Sequence, residues 1–150
     1  MKPVAAPHFR ELTPAESHAF LVRQHVGRIA YSVQDRVDIE PISFVADGEW
    51  IFGRTGHGAK LSRLAHHPWC AFEVDEVHNV FDWTSVVVKG SFYLLDPETG
   101  ADTYLRALSL LRDMVPQTFL AGDPTPQRSM LFGIYVNEIT GRSALLSTAQ

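Results

Sequence analysis

Apolar and polar residues alternate along much of the chain, and in three stretches the alternation gives way to helical spacing. Thr13-Pro14-Ala15-Glu16 is a capping box with proline at the first helical position, and Ala19, Leu21 and Val22 carry an apolar stripe to about Gln24. Gly27 breaks this helix. Alternation then predicts strands over 28–33, 37–46 and 50–55, separated by turns at Gln34-Asp35 and Asp47-Gly48. Val37, Ile39, Ser43 and Val45 share one face of the second of these strands. Pro41 lies inside it and cannot donate to a ladder, so one side of the strand is open or faces something other than a strand. Helical spacing returns over 59–66 and stops before Pro68. Strands are predicted over 69–77 and 83–95, with His78-Asn79 as a loop between them and Gly90 as a bulge or bend. Asp96 caps a further helix with Tyr104, Leu105, Leu108 and Leu111 as its buried stripe, ended by Pro116. A proline-rich loop spans 122–127. A last strand over 132–139 ends in a turn at Thr140-Gly141.

Residues 1–11 read as a flexible lead and 12–150 as a single domain. Hairpin-linked strands with a few helices make this an α+β chain, mainly β, built on an antiparallel sheet or barrel. The formal net charge of −4 argues against nucleic acid or an anionic membrane as the main partner. No apolar run approaches the length of a membrane helix, and the N-terminus lacks the pattern of a signal peptide. Cys70 is the only cysteine, so no internal disulfide can form. The expected location is the cytoplasm. Cys70 reads as a small core residue. The histidines lack a ligand spacing, so no metal is expected. Glu73, Asp75 and Glu76 read as a solvated strand face. There is no nucleophile elbow and no dinucleotide fingerprint, and no residue stands out as catalytic.

The stretch from Phe52 to Lys60 carries the most chemistry. A strand delivers Arg54 and Thr55 to the turn Gly56-His57-Gly58, and a helix follows with Lys60 in its first turn. A lysine at a helix N-terminus is unfavourable by about 0.3–1 kcal/mol, so an anion among these groups would rationalise the placement. Free N–H groups, a hydroxyl, a guanidinium and an ammonium suit a phosphate. A solvated basic turn explains the same residues, with glycines chosen for their backbone freedom alone.

This stretch and what surrounds it resemble the pyridoxamine 5′-phosphate oxidase-like superfamily of flavin-binding split barrels, in its small flavin-nucleotide-binding and nitroimidazole-resistance-like branch. The match rests on Pro41-Ile42-Ser43-Phe44, Trp50-Ile51-Phe52, Gly58-Ala59-Lys60-Leu61, His67-Pro68, Phe72-Glu73-Val74, Trp83 to Gly90, and Glu138-Ile139-Thr140-Gly141-Arg142. It covers roughly residues 12–145. The resemblance implies a six-stranded antiparallel split β-barrel with flanking helices, a homodimer, and FMN laid across the dimer interface. It implies that Arg54, Thr55 and Lys60, with His57 nearby, hold the phosphate. Pro41, Ile42 and Ser43 would lie along the flavin ring, Ser85 would contact it, and Trp83 and Val86 would wall it or reach the partner's flavin. A flavin-dependent oxidoreductase acting on a small molecule, with NAD(P)H as a donor, is the expected activity. A flavin store, carrier or sensor, or a protein that binds F420 or haem in the same cleft, is the alternative. The Arg-Leu-His-Asp-Arg type of segment that grips substrate in true pyridoxamine phosphate oxidases has no match here, so vitamin B6 oxidation is not expected. Gly53 stands where the nitroimidazole-resistance branch usually has histidine, which argues against nitroimidazole reduction.

Overall fold

The computed structural model describes residues 5–58, 64 and 66–147. Its elements are β1 (Ala6–Leu12), α1 (Pro14–Arg23), β2 (Val26–Val33), β3 (Arg36–Asp47), β4 (Trp50–Thr55), β5 (Trp69–Asn79), β6 (Asp82–Leu94), α2 (Ala101–Met114) and β7 (Met130–Ser147). The strands form one antiparallel sheet in the order β1-β7-β4-β3-β2-β5-β6, and β6 pairs back onto β7. Six strands therefore close a ring, as expected for the split barrel, and a seventh lies outside it along β7.

Local chemistry explains most of these boundaries. The Thr13 hydroxyl accepts from the Glu16 backbone N–H, and the Glu16 carboxylate accepts from the Thr13 N–H, so the capping box closes in both directions. Arg10 adds a two-pronged ion pair to Glu16 at 3.0 Å, which with the cap holds the Glu16 pKa at about 2. Gln34 and Asp35 both have positive φ, 43° and 64°, which gives the β2–β3 hairpin a turn whose twist matches its strands. The predicted bounds of β4 hold exactly as read from its alternation, because it sits between a turn at Gly48 and the glycines after Thr55.

Two apolar clusters hold the layers together. Inside the barrel, Ile29, Phe44, Ile51, Phe72, Val88, Phe132 and Ile134 pack with Phe20 and Leu21 of α1. Outside it, Val45, Phe52 and Leu131 meet Ala107 and Leu111 of α2. β4 is thus buried on both faces, Ile51 toward the barrel and Phe52 toward α2, and each is fully buried.

Several expectations require correction. Residues 6–12 are not a lead-in; they form β1, which pairs with β7 from Ala6↔Ser147 to Leu12↔Gly141. Pro7 is tolerated there because β1 is an edge strand. Gly27 does not end α1. It lies within β2, and the helix ends at the Gln24 cap. His78 and Asn79 continue β5, and the turn falls at the next two residues. α2 starts at Ala101 because Asp96 caps a preceding turn instead, its Oδ1 accepting from Glu98 N–H. Leu105 is exposed, and Ala107 takes its place against the barrel. Thr140-Gly141 is not a turn. β7 runs straight through it, and Gly141 permits the close approach of α1: a Cβ there would lie 2.6 Å from Ser17 Oγ. The helix predicted over 59–66 falls outside the described residues except for Leu64 and His66, which are helical.

Gly90 sits at the predicted irregularity, where the β6–β7 register shifts between Lys89 and Gly90. A Cβ at Gly90 would lie 2.3 Å from the Tyr135 carbonyl oxygen. Gly90→Ala is expected to destabilise by about 1–3 kcal/mol through this backbone clash. Urea unfolding should show a lower midpoint at unchanged slope. Cys70 is buried, and burial pushes its thiol up to about 12. A thiol reagent at mildly alkaline pH is expected to label it only after denaturation.

Candidate functional site

The predicted site residues fall into two groups. Pro41, Ile42 and Ser43 lie on β3 opposite Arg28, Gly27 and Val26 of β2. Pairing of β3 with β4 begins only at Phe44↔Gly53, so among the described residues the other edge of β3 over 36–43 has no strand beside it. This is the open side that Pro41 signalled. Pro41 and Ser43 are exposed, whereas the Ile42 side chain is buried in the barrel core and offers only its backbone to a ligand. Arg54 and Thr55 end β4, and His57 is exposed in the turn after them. Thr55 is buried, and its hydroxyl donates to the Gly56 carbonyl at 3.3 Å. Lys60 lies outside the described residues.

Trp83, Ser85 and Val86 form the second group, on β6. Trp83 is partly buried, 6.3 Å from the ring of Phe9. Ser85 Oγ donates to Glu73 Oε2 at 3.0 Å. Val86 points into the barrel core with no exposed surface, so its side chain is not presented to a ligand at the surface. The two groups do not meet within one chain. Arg54 pairs with Leu131 and Ser85 with Arg142, positions on β7 separated by on the order of 30 Å along the strand.

Arg54 departs most from expectation. All five of its N–H donors are engaged within the chain. Nη1 and Nη2 fork onto Asp123 at 2.9 and 2.6 Å, and they also reach the Thr125 hydroxyl and carbonyl at 3.1 Å. Nε donates to the Arg128 carbonyl at 3.0 Å. The side chains of Arg54 and Asp123 are only 9% and 5% exposed, and the guanidinium lies over the Phe119 ring at 4.6 Å. Arg54 therefore anchors the loop after α2 and has no N–H left for a phosphate. Asp123 also accepts from the backbone N–H groups of Phe119 and Thr125, and it holds Phe119 in a left-handed backbone conformation with φ of 60°. The sequence carries turn signals in Gly122-Asp123-Pro124 but nothing that ties them to a strand 69 residues earlier.

The anchored loop borders a partly open cavity of about 120 Å³ between itself, the C-terminal half of α2, and β3. Leu111, Met114, Val115 and Pro124 form its apolar wall, and Ser43, Arg54 and Thr125 also line it. A second polar cluster lies across β2, β5 and β6. Arg28 bridges Glu73 and Asp75 at 2.8 and 2.7 Å, so these two acids are not merely solvated. Burial raises the Glu73 pKa, helped by the neighbouring Asp75. Ile39, Val77 and Trp69 stand exposed around this cluster.

Hydrogen bonds from Arg54, followed by those from Thr125 and Phe119, hold the Asp123 carboxyl well below the usual range. A depressed folded pKa stabilises above the ordinary carboxylate pKa of 3.8, and that contribution disappears as pH falls through the folded value. Asp123→Asn is accordingly expected to lower the melting temperature at neutral pH. The gap to the parent chain should persist through mild acid and close only below the ordinary carboxylate range, as thermal melts across pH would show.

The geometry has counterparts among known proteins. An FAD-binding protein of Mesorhizobium loti superposes with a TM-score of 0.76, at 20% identity over 93% of this chain and 99% of its own. An FAD-binding protein of Mycobacterium smegmatis gives a TM-score of 0.67 at 26% identity, over 89% of this chain and 99% of its own. An uncharacterized protein of Rhizobium meliloti is 25% identical over 144 residues, 90% of this chain and 95% of its own. The pyridoxamine 5′-phosphate oxidase family matches residues 13–143 as one continuous stretch that takes in α1, the whole closed ring of strands and the loop held by Arg54, and the chain belongs to that family.

Proposed function

We propose that this protein binds a flavin nucleotide, FMN in the first instance, and uses it in oxidoreduction of a small molecule. The observation that carries this reading is the likeness, over nearly the whole chain, to two FAD-binding proteins. The residues fit a flavin in part. β3 presents an open edge at Pro41-Ile42-Ser43, where backbone groups and the Ser43 hydroxyl can meet a ring. The turn after Thr55 offers backbone N–H groups and the exposed His57, and Lys60 follows it in sequence. Arg54 does not fit a phosphate contact; it shapes the loop beside the turn instead.

Trp83 and Ser85 lie far from that turn within one chain, which favours their reaching the same flavin from a second copy. A homodimer formed through the face of β2, β5 and β6 that carries Ile39, Val77 and Trp69 would bury them and bring both groups to one ligand. A flavin, once bound, supplies hydride or single-electron transfer. The chain's own part is to orient it, keep water from it and set the polarity around it. Glu73 takes the one proton of the Ser85 hydroxyl, so Ser85 would face a ligand as an acceptor.

Purified protein is expected to carry or take up a flavin with its visible absorbance, and chromatography of the released cofactor would separate FMN from FAD. Colourless protein that ignores FMN, FAD and haem would refute the reading, and uptake of haem alone would replace it. Lys60→Ala should weaken FMN by roughly tenfold to a hundredfold, the range for a charged hydrogen bond, and leave riboflavin nearly unchanged. Equal loss for both would remove Lys60 from the phosphate. Gel filtration should give twice the 16.8 kDa chain mass.

A further inference from the structure

The cavity beneath the Arg54-anchored loop has a definite chemical character. Its floor and one wall are carbon, from Leu111, Met114, Val115 and Pro124. Its polar groups are nearly all engaged already. The Arg54 donors are saturated, Thr125 Oγ1 accepts from Arg54, and Thr118 Oγ1 donates to the Val115 carbonyl at 2.6 Å. The Arg54 charge is cancelled by Asp123 in a pair that is almost fully enclosed. Arg128 also lines the cavity; its carbonyl is held by Arg54, and its guanidinium belongs to an exposed residue whose charge solvent and salt screen. What remains for a ligand is an apolar volume with the Ser43 hydroxyl, exposed on the open stretch of β3, and the O–H of Thr125, whose oxygen already accepts from Arg54. An apolar cavity of about 150 Å³ in another protein accepts benzene, so 120 Å³ is room for a small ring or a branched aliphatic group.

We propose that this cavity is a binding subsite for a small, uncharged, mainly apolar molecule that hydrogen-bonds to Ser43. Because Ser43 also borders the proposed flavin edge, the bound molecule is the substrate or its apolar part; that role rests on the flavin reading, whereas the binding itself does not. Anions are disfavoured because Arg54, the enclosed cation among the described residues of the lining, already has its carboxylate, and an apolar wall desolvates a charge without repaying it.

Phenol, benzene, benzoate and inorganic phosphate, titrated into the full chain and followed by protein NMR, test this directly. Saturable binding is expected for phenol and benzene with phenol tighter, weaker binding for benzoate, and none at this cavity for phosphate. Val115→Phe fills the wall and should weaken phenol roughly tenfold or more, the scale on which apolar pockets discriminate by size. Ser43→Ala, at an exposed position, should reduce the preference for phenol over benzene without disturbing the fold. Asp123→Asn uncovers the Arg54 charge and should move the preference toward benzoate. Absence of saturable phenol binding would overturn the proposal, as would benzoate binding tighter than phenol in the parent chain. Phenol binding left intact in a folded Val115→Phe protein, or an unchanged phenol preference in Ser43→Ala, would do the same. FMN titration is read separately: phenol binding without FMN uptake keeps the subsite and removes the flavin reading, and FMN uptake without phenol binding does the opposite.

Discussion

The fold depends on one strand being shared. β7 is 18 residues long, and β6 pairs along it from Phe132 to Ala144. Its other edge is divided between β4, over 130–135, and β1, over 141–147. No other strand has three partners, and closure of the ring runs through it. A strand this long can follow a barrel wall only if it bends. The register shift at Gly90 supplies the bend, and the absence of a side chain there lets the two backbones approach. Gly141 does the same for α1, which seats Phe20 and Leu21 over the barrel core.

The loop face follows from this arrangement. α2 covers β4 from outside, so Phe52 and Leu131 are buried beneath it and the loop leaving α2 must return to the start of β7. Arg54 stands at the end of β4, beside that return path. A buried guanidinium needs a partner, and Asp123 with the Thr125 and Arg128 carbonyls provides a complete set. The pairing fixes the loop, shapes the small cavity against α2 and cancels the Arg54 charge. An anion near the turn after Thr55 must therefore find its positive charge elsewhere.

Family membership agrees with this division of labour. The pyridoxamine 5′-phosphate oxidase family match runs through α1, the barrel and the loop. The barrel supplies a rigid frame with an open edge at Pro41, while the Arg54–Asp123 pair sets the loop and the cavity beside it. The polar network of Arg28, Glu73, Asp75 and Ser85 lies on the face of β2, β5 and β6, where its half-buried charges satisfy one another without a partner chain.

Features set by neighbours in sequence were legible from the sequence alone. The capping box at Thr13, the hairpin turns at Gln34-Asp35 and Gly48, the bounds of β4, the irregularity at Gly90 and the open side at Pro41 each follow from a few adjacent residues. Family resemblance, carried by short segments spread along the chain, identified the barrel. Tertiary structure alone decided the rest. β1 forms because β7 offers it an edge, not because 6–12 alternates strongly. β7 passes through Thr140-Gly141 because α1 needs the glycine for contact, a reason no local turn rule contains. Leu105 is exposed and Ala107 buried because the barrel meets α2 along a different line from its largest residues. Arg54 was legible as a cation beside a turn, but the carboxylate that neutralises it comes from 69 residues away. Local sequence specifies backbone conformation through short-range sterics and hydrogen bonds. Which charge meets which, and which face is covered, depends on distant segments that only the closed barrel brings together.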